Sequence, residues 1–145
     1  MEDQYNLTRF VEAQDPLFAR VCAELAAGCK ESHWMWFIFP QLAGLGHSSL
    51  AQQYAIRDLD QARRYLADPM LGIRLRNDVG LMMRHKGKSA LEILGSPDDL
   101  KFRSCLTLFA QAASGNSECG AFNEALDPFY GGKQAPRTSE LLHSR

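Results

Sequence analysis

Apolar residues recur at helical spacing along most of this 145-residue chain. The clearest stripes are Leu17, Phe18, Val21, Cys22 and Leu25; Leu59, Ala62 and Leu66; Leu71, Leu75, Val79 and Met82; and Phe102, Cys105, Leu106, Phe109 and Ala113. No stretch alternates apolar and polar residues convincingly over the length of a strand. The pattern predicts an all-α fold, a single compact domain over residues 1–145 with about seven to nine helices and at most one short extended segment.

Capping and helix-breaking residues place the predicted helix ends. The expected signals are Asn6 as a first cap, Asp15-Pro16 as a second start, Gly28 as a stop, a short helix over residues 49–54, a cap at Asp58, a restart at Pro69, a cap at Ser89, a stop at Gly95, a helix over residues 118–126, a turn over residues 127–132 and a cap at Thr138. The run Ser96-Pro97-Asp98-Asp99 is the strongest start, because it combines a capping hydroxyl, a proline and two carboxylates facing the positive end of a helix.

The stretch over residues 32–41 holds both tryptophans of the chain, Trp34 and Trp36, within six consecutive apolar residues. It is too short to cross a bilayer, which takes about 20 apolar residues. Periodicity does not decide between helix and strand for a continuous apolar run. Lys30, His33 and Gln41 add polar groups beside the aromatic rings, which is typical of a small-molecule pocket. The edge of an ordinary core has the same composition, so both interpretations stay open.

A second candidate site lies on the helix predicted after Pro97. Asp98, Lys101 and Ser104 follow one another at three-residue spacing and therefore share a face. Free amides at the start of that helix also suit an anion. The alternative interpretation is a helix-terminal carboxylate with a surface ion pair, which contributes little.

Two further patterns are weaker. The turn around Gly131-Gly132 with Lys133 lacks the spacing of a phosphate-binding glycine loop, so a plain turn is favoured. A group of basic residues spreads around one predicted helix and its end, which favours a solvated surface over a nucleic-acid interface; its members are Arg74, Arg76, Arg84, His85, Lys86 and Lys88.

Composition narrows the class of protein. Apolar residues make up 46% and charged residues 23% of the chain, and the net charge is −1 with histidine neutral. No nucleic-acid partner is expected from this charge. The cysteines Cys22, Cys29, Cys105 and Cys119 form no CxxC pair, and the histidine spacing completes no zinc pattern, so no metal and no cofactor are predicted. The acidic, polar start of the chain is unlike a signal peptide, which predicts a cytoplasmic protein with no membrane partner.

The chain resembles a family of small bacterial and fungal proteins of unknown function. Some members are mislabelled "calpastatin"; a calpain inhibitor of that kind is repetitive and disordered, whereas this chain is predicted to be compact. The motifs that carry the resemblance are Lys30 with His33-Trp34-Met35-Trp36-Phe37-Ile38-Phe39-Pro40-Gln41-Leu42; Gly44-Leu45-Gly46; Gly95-Ser96-Pro97-Asp98-Asp99-Leu100-Lys101-Phe102 with Ser104; Thr107-Leu108-Phe109; Arg9-Phe10 with Ala13-Gln14; and Gly131-Gly132 with Thr138. The resemblance implies a multihelical single domain. Family members often have an acid just before the proline at Pro136, where this chain has Ala135; if that acid serves a ligand, activity is altered or lost here.

In the order of its motifs, the chain is also similar to the YbiA-like N-glycosidases, which act on ADP-ribose-type substrates.

The motifs and the resemblances together leave three hypotheses of function open. The first is a protein that binds a small polar or phosphorylated ligand, nucleotide- or ribose-like, through Lys30, His33, Trp34, Trp36, Gln41, Lys101 and Ser104. The second is an N-glycosidase acting on an ADP-ribose-type or ribosyl-amine substrate, with Asp98 or Asp99 as the available carboxylate. The third is a protein-interaction module with both tryptophans in an exposed apolar patch. The sequence leaves the oligomeric state open.

Overall fold

The computed structural model describes residues 5–114 and 120–144, and these residues form ten helices. They are α1 (Thr8–Gln14), α2 (Phe18–Ala27), α3 (Met35–Ile38), α4 (Ser49–Gln53), α5 (Leu59–Ala67), α6 (Leu71–Met83), α7 (Ala90–Leu94), α8 (Asp98–Ala112), α9 (Gly120–Tyr130) and α10 (Pro136–His143). The all-α prediction is confirmed, with one helix more than the upper number expected. Within the described ranges, sheet-like pairing is confined to an isolated parallel bridge between Leu42 and Ile56.

Helix α8 lies at the centre of the fold and packs against α5, α7, α9 and α10. Its side chains are buried on more than one face, including Phe102, Leu106 and Phe109. Phe109 contacts Tyr65 of α5 and Phe122 of α9 through their rings. Burial of each such ring contributes roughly 2–3 kcal/mol, so these contacts fix the position of α8 in the core.

The aromatic stretch forms a one-turn helix, α3, with Trp34 at its start and Phe39 at its end. Pro40 follows directly, where it stops the helix, as predicted. The Phe39 ring packs against the Phe102 ring in a tilted arrangement, with 4.7 Å between ring centroids. The aromatic stretch is therefore attached directly to the central helix.

Several predicted helix ends are confirmed. Asp58 accepts a hydrogen bond from the amide of Gln61 at the start of α5. Ser89 and Glu92 form a reciprocal capping box at the start of α7. Gly28 ends α2 in the left-handed conformation, with a φ of 73°, which only glycine adopts without strain.

Other predicted ends are wrong. Helix α8 begins at Asp98 without a side-chain cap, so Ser96 does not cap it. The residue before the first turn is Leu7 in α1 and Leu17 in α2, whereas the predicted starts are Asn6 and Asp15-Pro16. Thr138 is buried inside α10 and is not its cap. The predicted start at position 118 lies outside the described residues.

The predicted turn over residues 127–132 begins too early. Helix α9 continues through Pro128 to Tyr130. Gly131 and Gly132, both with positive φ, then end the helix, and the Gly132 amide donates to the Leu126 carbonyl. Glycine at positive φ just past the last turn is a common way for a helix to end. The two glycines therefore end a helix.

Candidate functional site

A buried carboxylate on α2 holds the segment that leads into the aromatic stretch. Glu24 Oε1 accepts hydrogen bonds from the amides of Glu31 and Ser32, at 2.8 and 3.0 Å, and from Trp34 Nε1 at 2.9 Å. Its Oε2 accepts from the Ser32 hydroxyl at 2.6 Å. Burial opposes ionisation, but these donors outweigh it and lower the pKa of Glu24 to about 2. Glu24 is therefore an ionised anchor that fixes Trp34 in the core.

The two candidate motifs meet at Asp98. Lys30 Nζ lies 3.0 Å from Asp98 Oδ2, and Lys101 Nζ lies 3.5 Å from Asp98 Oδ1. The Lys30 side chain is only 7% exposed, and the side chain of Asp98 is 17% exposed. The segment before the aromatic stretch is thereby joined to the first turn of α8 through one shared carboxylate.

Each of these lysines also lies over a tryptophan. The Lys30 ammonium is 5.0 Å from the ring centroid of Trp34, and the Lys101 ammonium is 5.2 Å from that of Trp36. Both distances are within the range of a cation–π interaction. Trp34, Lys30, Asp98, Lys101 and Trp36 therefore form one continuous chain of contacts, which we call the Asp98 bridge.

A cavity of about 470 Å³ opens beside Trp36 and Lys101. Its lining comes from α3 and the following loop, α4, the first half of α8, and α10; the residues are Trp36, Gln41, Leu45, Gly46, His47, Ser48, Ala51, Pro97, Leu100, Lys101, Ser104 and Arg137. Pockets for small ligands usually measure ~300–1,000 Å³ and combine apolar walls with a few polar groups. Four of the seven predicted ligand-binding residues, Trp36, Gln41, Lys101 and Ser104, line this cavity.

The other predicted site residues lie elsewhere. Trp34 is 0% exposed and belongs to the core. Lys30 and Asp98 lie behind Lys101 and do not line the cavity, and His33 is exposed outside it. One side-chain oxygen of Asp99 is buried and accepts no hydrogen bond from the described residues.

Two other cavities are larger but chemically different. One, of about 610 Å³, is lined by Ala43, Arg57, Asp58, Leu59, Asp60 and Leu142. The other, of about 560 Å³, is lined by Met83, Lys86, Asn123, Glu124, Asp127 and Pro128. Neither has an aromatic wall, and neither contains a predicted site residue. The cavity beside Trp36 is therefore the candidate site.

The segment that follows Gly131 and Gly132 has a structural role. The carbonyls of Lys133 and Gln134, just after the two glycines, accept hydrogen bonds from Arg103 of α8. The Ala135 amide donates to Thr107 Oγ1 at 2.8 Å, and the Ala135 side chain is buried. These bonds dock the start of α10 on α8.

Sequence reasoning missed Glu24 and Arg137. Glu24 left a signal, because an acid three residues after Val21 and next to Leu25 falls on the apolar face of α2. Arg137 left none, since its place in the cavity depends on how α10 docks on α8.

The thiols and acids do not assemble a further centre among the described residues. Cys22, Cys29 and Cys105 are free, and Cys119 lies outside the described ranges. No three His, Cys, Asp or Glu side chains in residues 5–114 and 120–144 come close enough together to hold a metal ion. None of the helices in these ranges has the length and apolar content needed to cross a membrane.

Comparison with known proteins identifies relatives of the whole chain. The crystal structure of the conserved hypothetical protein Rv1873 from Mycobacterium tuberculosis is similar, with 48% sequence identity and a TM-score of 0.93 over 97% of this chain and 99% of that one. No curated protein matches significantly. The family model "Protein of unknown function (DUF1810)" matches residues 4–142. The predicted resemblance to a family of unknown function is thus confirmed, whereas the mislabelling of some members as "calpastatin" and the similarity to YbiA-like N-glycosidases stay predictions. The chain belongs to the DUF1810 family.

Proposed function

We propose that this protein binds a small polar or phosphorylated ligand, nucleotide- or ribose-like, in the cavity beside Trp36. The observation that carries the proposal is the convergence of Trp36 and Gln41 with Lys101 and Ser104 around one hollow. The contributing residues of the two motifs are 60 or more positions apart in sequence. Each motif contributes one aromatic or cationic group and one hydrogen-bonding side chain. Such a combination orients a ligand that has both a ring and a charged group.

The charges of the cavity favour an anion. Lys101 and Arg137 line it, and His47 adds a third nitrogen-bearing side chain. The Arg137 guanidinium is 3.5 Å from Glu140, but both side chains are about two-thirds exposed, so solvent screens this pair. Asp98 balances one of the charges of Lys30 and Lys101 and leaves the other in excess. A phosphate or similar anion therefore finds two cationic side chains at the cavity wall.

An apolar surface completes the cavity. Trp36, Leu45, Pro97 and Leu100 contribute carbon-rich walls, and Leu100 is 57% exposed at the surface. A sugar or base ring can pack on this surface while its phosphate contacts Lys101. The combined geometry supports a compact phosphate ester better than inorganic phosphate alone.

The lining favours binding over hydrolysis. An N-glycosidase with an oxocarbenium-like transition state needs a carboxylate at the reacting bond. None of the twelve described lining residues is an acid, and both oxygens of Asp98 face lysines. The interaction-module hypothesis is also less favoured, because Trp34 is enclosed and contributes nothing to an exposed patch.

The test is isothermal titration calorimetry with AMP and ribose 5-phosphate, and with adenosine as the uncharged comparison. The wild-type protein is expected to bind at least one of the two phosphate esters. Lys101→Met is expected to weaken that binding by roughly tenfold or more, because a charge-assisted contact is lost. Lys88→Met makes the same charge change at an exposed position outside the cavity and is expected to bind like the wild type. Absence of binding, or equal binding by Lys101→Met, would contradict the proposal.

A further inference from the structure

The Asp98 bridge places an acid directly behind the cation that faces the cavity. Asp98 does not line the cavity, yet its Oδ1 lies 3.5 Å from the Lys101 ammonium, which does. Its other oxygen is 3.0 Å from Lys30, which is almost fully enclosed. Asp98 is thus held on the inner side by one lysine while it contacts the other on the cavity side.

Lys101 consequently has two sets of attractive partners. In the structure its ammonium lies between the Asp98 carboxylate and the face of Trp36. An anion in the cavity is a competing partner on the open side, since the Lys101 side chain is 25% exposed. A flexible lysine can turn between two such partners, because its charge sits on a four-carbon stem.

We infer that Asp98 is a specificity-determining residue that sets the affinity of the cavity for anions by competing with the ligand for Lys101. Anion binding draws the Lys101 ammonium away from Asp98, and Lys30 then remains as the counter-ion of that acid. The inference rests on the proposed function. It also gives Asp98 a role other than that of a reacting carboxylate.

Lys30 makes it feasible for Lys101 to leave Asp98 and bind the anion. An acid left without a partner inside a protein carries a large desolvation cost, which would keep Lys101 in place. Because Lys30 stays within 3.0 Å of Asp98, the carboxylate keeps one ion pair when Lys101 leaves. The Lys30 backbone is fixed by its amide, which donates to the Ile93 carbonyl at 2.8 Å, and its ammonium also lies 5.0 Å from the ring centroid of Trp34.

The test compares Asp98→Asn with the wild type in titrations with AMP and ribose 5-phosphate. Asparagine has nearly the shape of aspartate but no charge, so Lys101 loses its competing partner. The phosphate esters are expected to bind roughly three- to tenfold more tightly, with no matching gain for adenosine. Asp99→Asn removes the same charge from the same helical turn without breaking the bridge, and it is the matched control; it is expected to produce a smaller gain.

A double variant separates competition from simple repulsion. If Asp98 acts through Lys101, Asp98→Asn has no effect on affinity in a Lys101→Met background. If the gain persists there, Asp98 merely repels the anion and the inference is wrong. Unchanged or weaker binding by Asp98→Asn alone also overturns it, while the proposed function stands. Absence of phosphate-ester binding by both the wild type and Asp98→Asn overturns both.

Discussion

The indole N–H of Trp34 donates a 2.9 Å hydrogen bond to the carboxylate of Glu24, and both side chains are buried. This bond ties the aromatic stretch to α2, ten residues earlier in the chain. Because Glu24 also accepts from the amides of Glu31 and Ser32, it fixes the path of the backbone as well as the ring. Trp36, two residues later, then lies at the wall of the cavity.

Replacement of Glu24 by glutamine is expected to destabilise the fold by about 2 kcal/mol. A carboxylate that accepts four hydrogen bonds becomes a neutral amide, and one of its former acceptor sites becomes a donor. Urea unfolding measures the change. Glu12→Gln, at an exposed position of α1, is the control and is expected to change stability little. Equal stability of the two variants would contradict the anchoring role of Glu24.

Acid is expected to weaken the same anchor. The pKa of Glu24 falls from 4.5 to about 2 in the folded protein. Its stabilising contribution is therefore present above about pH 4.5 and is lost as pH falls toward 2, because the unfolded chain takes up the proton first. Urea unfolding at a series of acidic pH values is expected to show this loss in the wild type and a shallower one in Glu24→Gln. Parallel pH curves for the two proteins would argue against it.

Asp78 is expected to give the opposite dependence near neutral pH. Burial raises the pKa of Asp78 from 3.8 to about 7, against hydrogen bonds from Asn77 and Cys22 and the charge of Arg74. Between these values the folded protein keeps a proton that the unfolded chain has released. Stability therefore falls as pH rises from about 4 to about 7.

The variant Asp78→Asn tests this origin of the slope. Asp78 Oδ1 faces both Cys22 and Asn77, and the amide oxygen of asparagine can take over both contacts without a charge. The variant is expected to be more stable than the wild type at pH 8, by up to roughly 4 kcal/mol, and similar to it at pH 4. Thermal unfolding at the two pH values measures the difference. Asp127→Asn, an exposed aspartate, is the control; a pH slope that survives in Asp78→Asn would assign it to another group.

Two glycines of α6 are expected to respond oppositely to alanine. A Cβ on Gly72 would lie 2.1 Å from the carbonyl oxygen of Leu66, so glycine there allows close approach of α5 and α6. A Cβ on Gly80 would meet nothing within 4 Å. Gly72→Ala is expected to cost about 2 kcal/mol or more, and Gly80→Ala to stabilise by ~0.5–1 kcal/mol. Chemical denaturation of the two variants measures both changes, and a shared sign would contradict this account of the helix contact.

Helical periodicity was sufficient to predict the all-α fold, but it could not assign a helix or a strand to the aromatic stretch, where the apolar residues form a continuous run. The run over residues 34–39 turned out to be the one-turn helix α3. Pro128 misled the prediction in another way, because α9 continues through it to Tyr130 although proline has no N–H to donate to the helix. A cap was predicted at Ser96 but does not form, so a favourable sequence does not fix which side chain bonds to the helix start.

The candidate site was predictable in part. Both motifs were visible as dense groups of aromatic, cationic and hydroxyl-bearing residues, and the structure brings them together at Asp98. Trp34 and Trp36 differ in their surroundings because residues two apart around a helical turn do not share a face. The contribution of Arg137 required the docking of α10 and was beyond any local pattern.

The most direct test of the central claim is a ¹H–¹⁵N spectrum recorded while AMP or ribose 5-phosphate is added. The protein has two tryptophans, so its two indole N–H signals report on the cavity wall at Trp36 and on the enclosed contact of Trp34 with Glu24. If the cavity binds the ligand, the Trp36 signal moves in a saturable way while the Trp34 signal moves little. A spectrum in which the Trp36 signal stays fixed at saturating ligand would contradict the account.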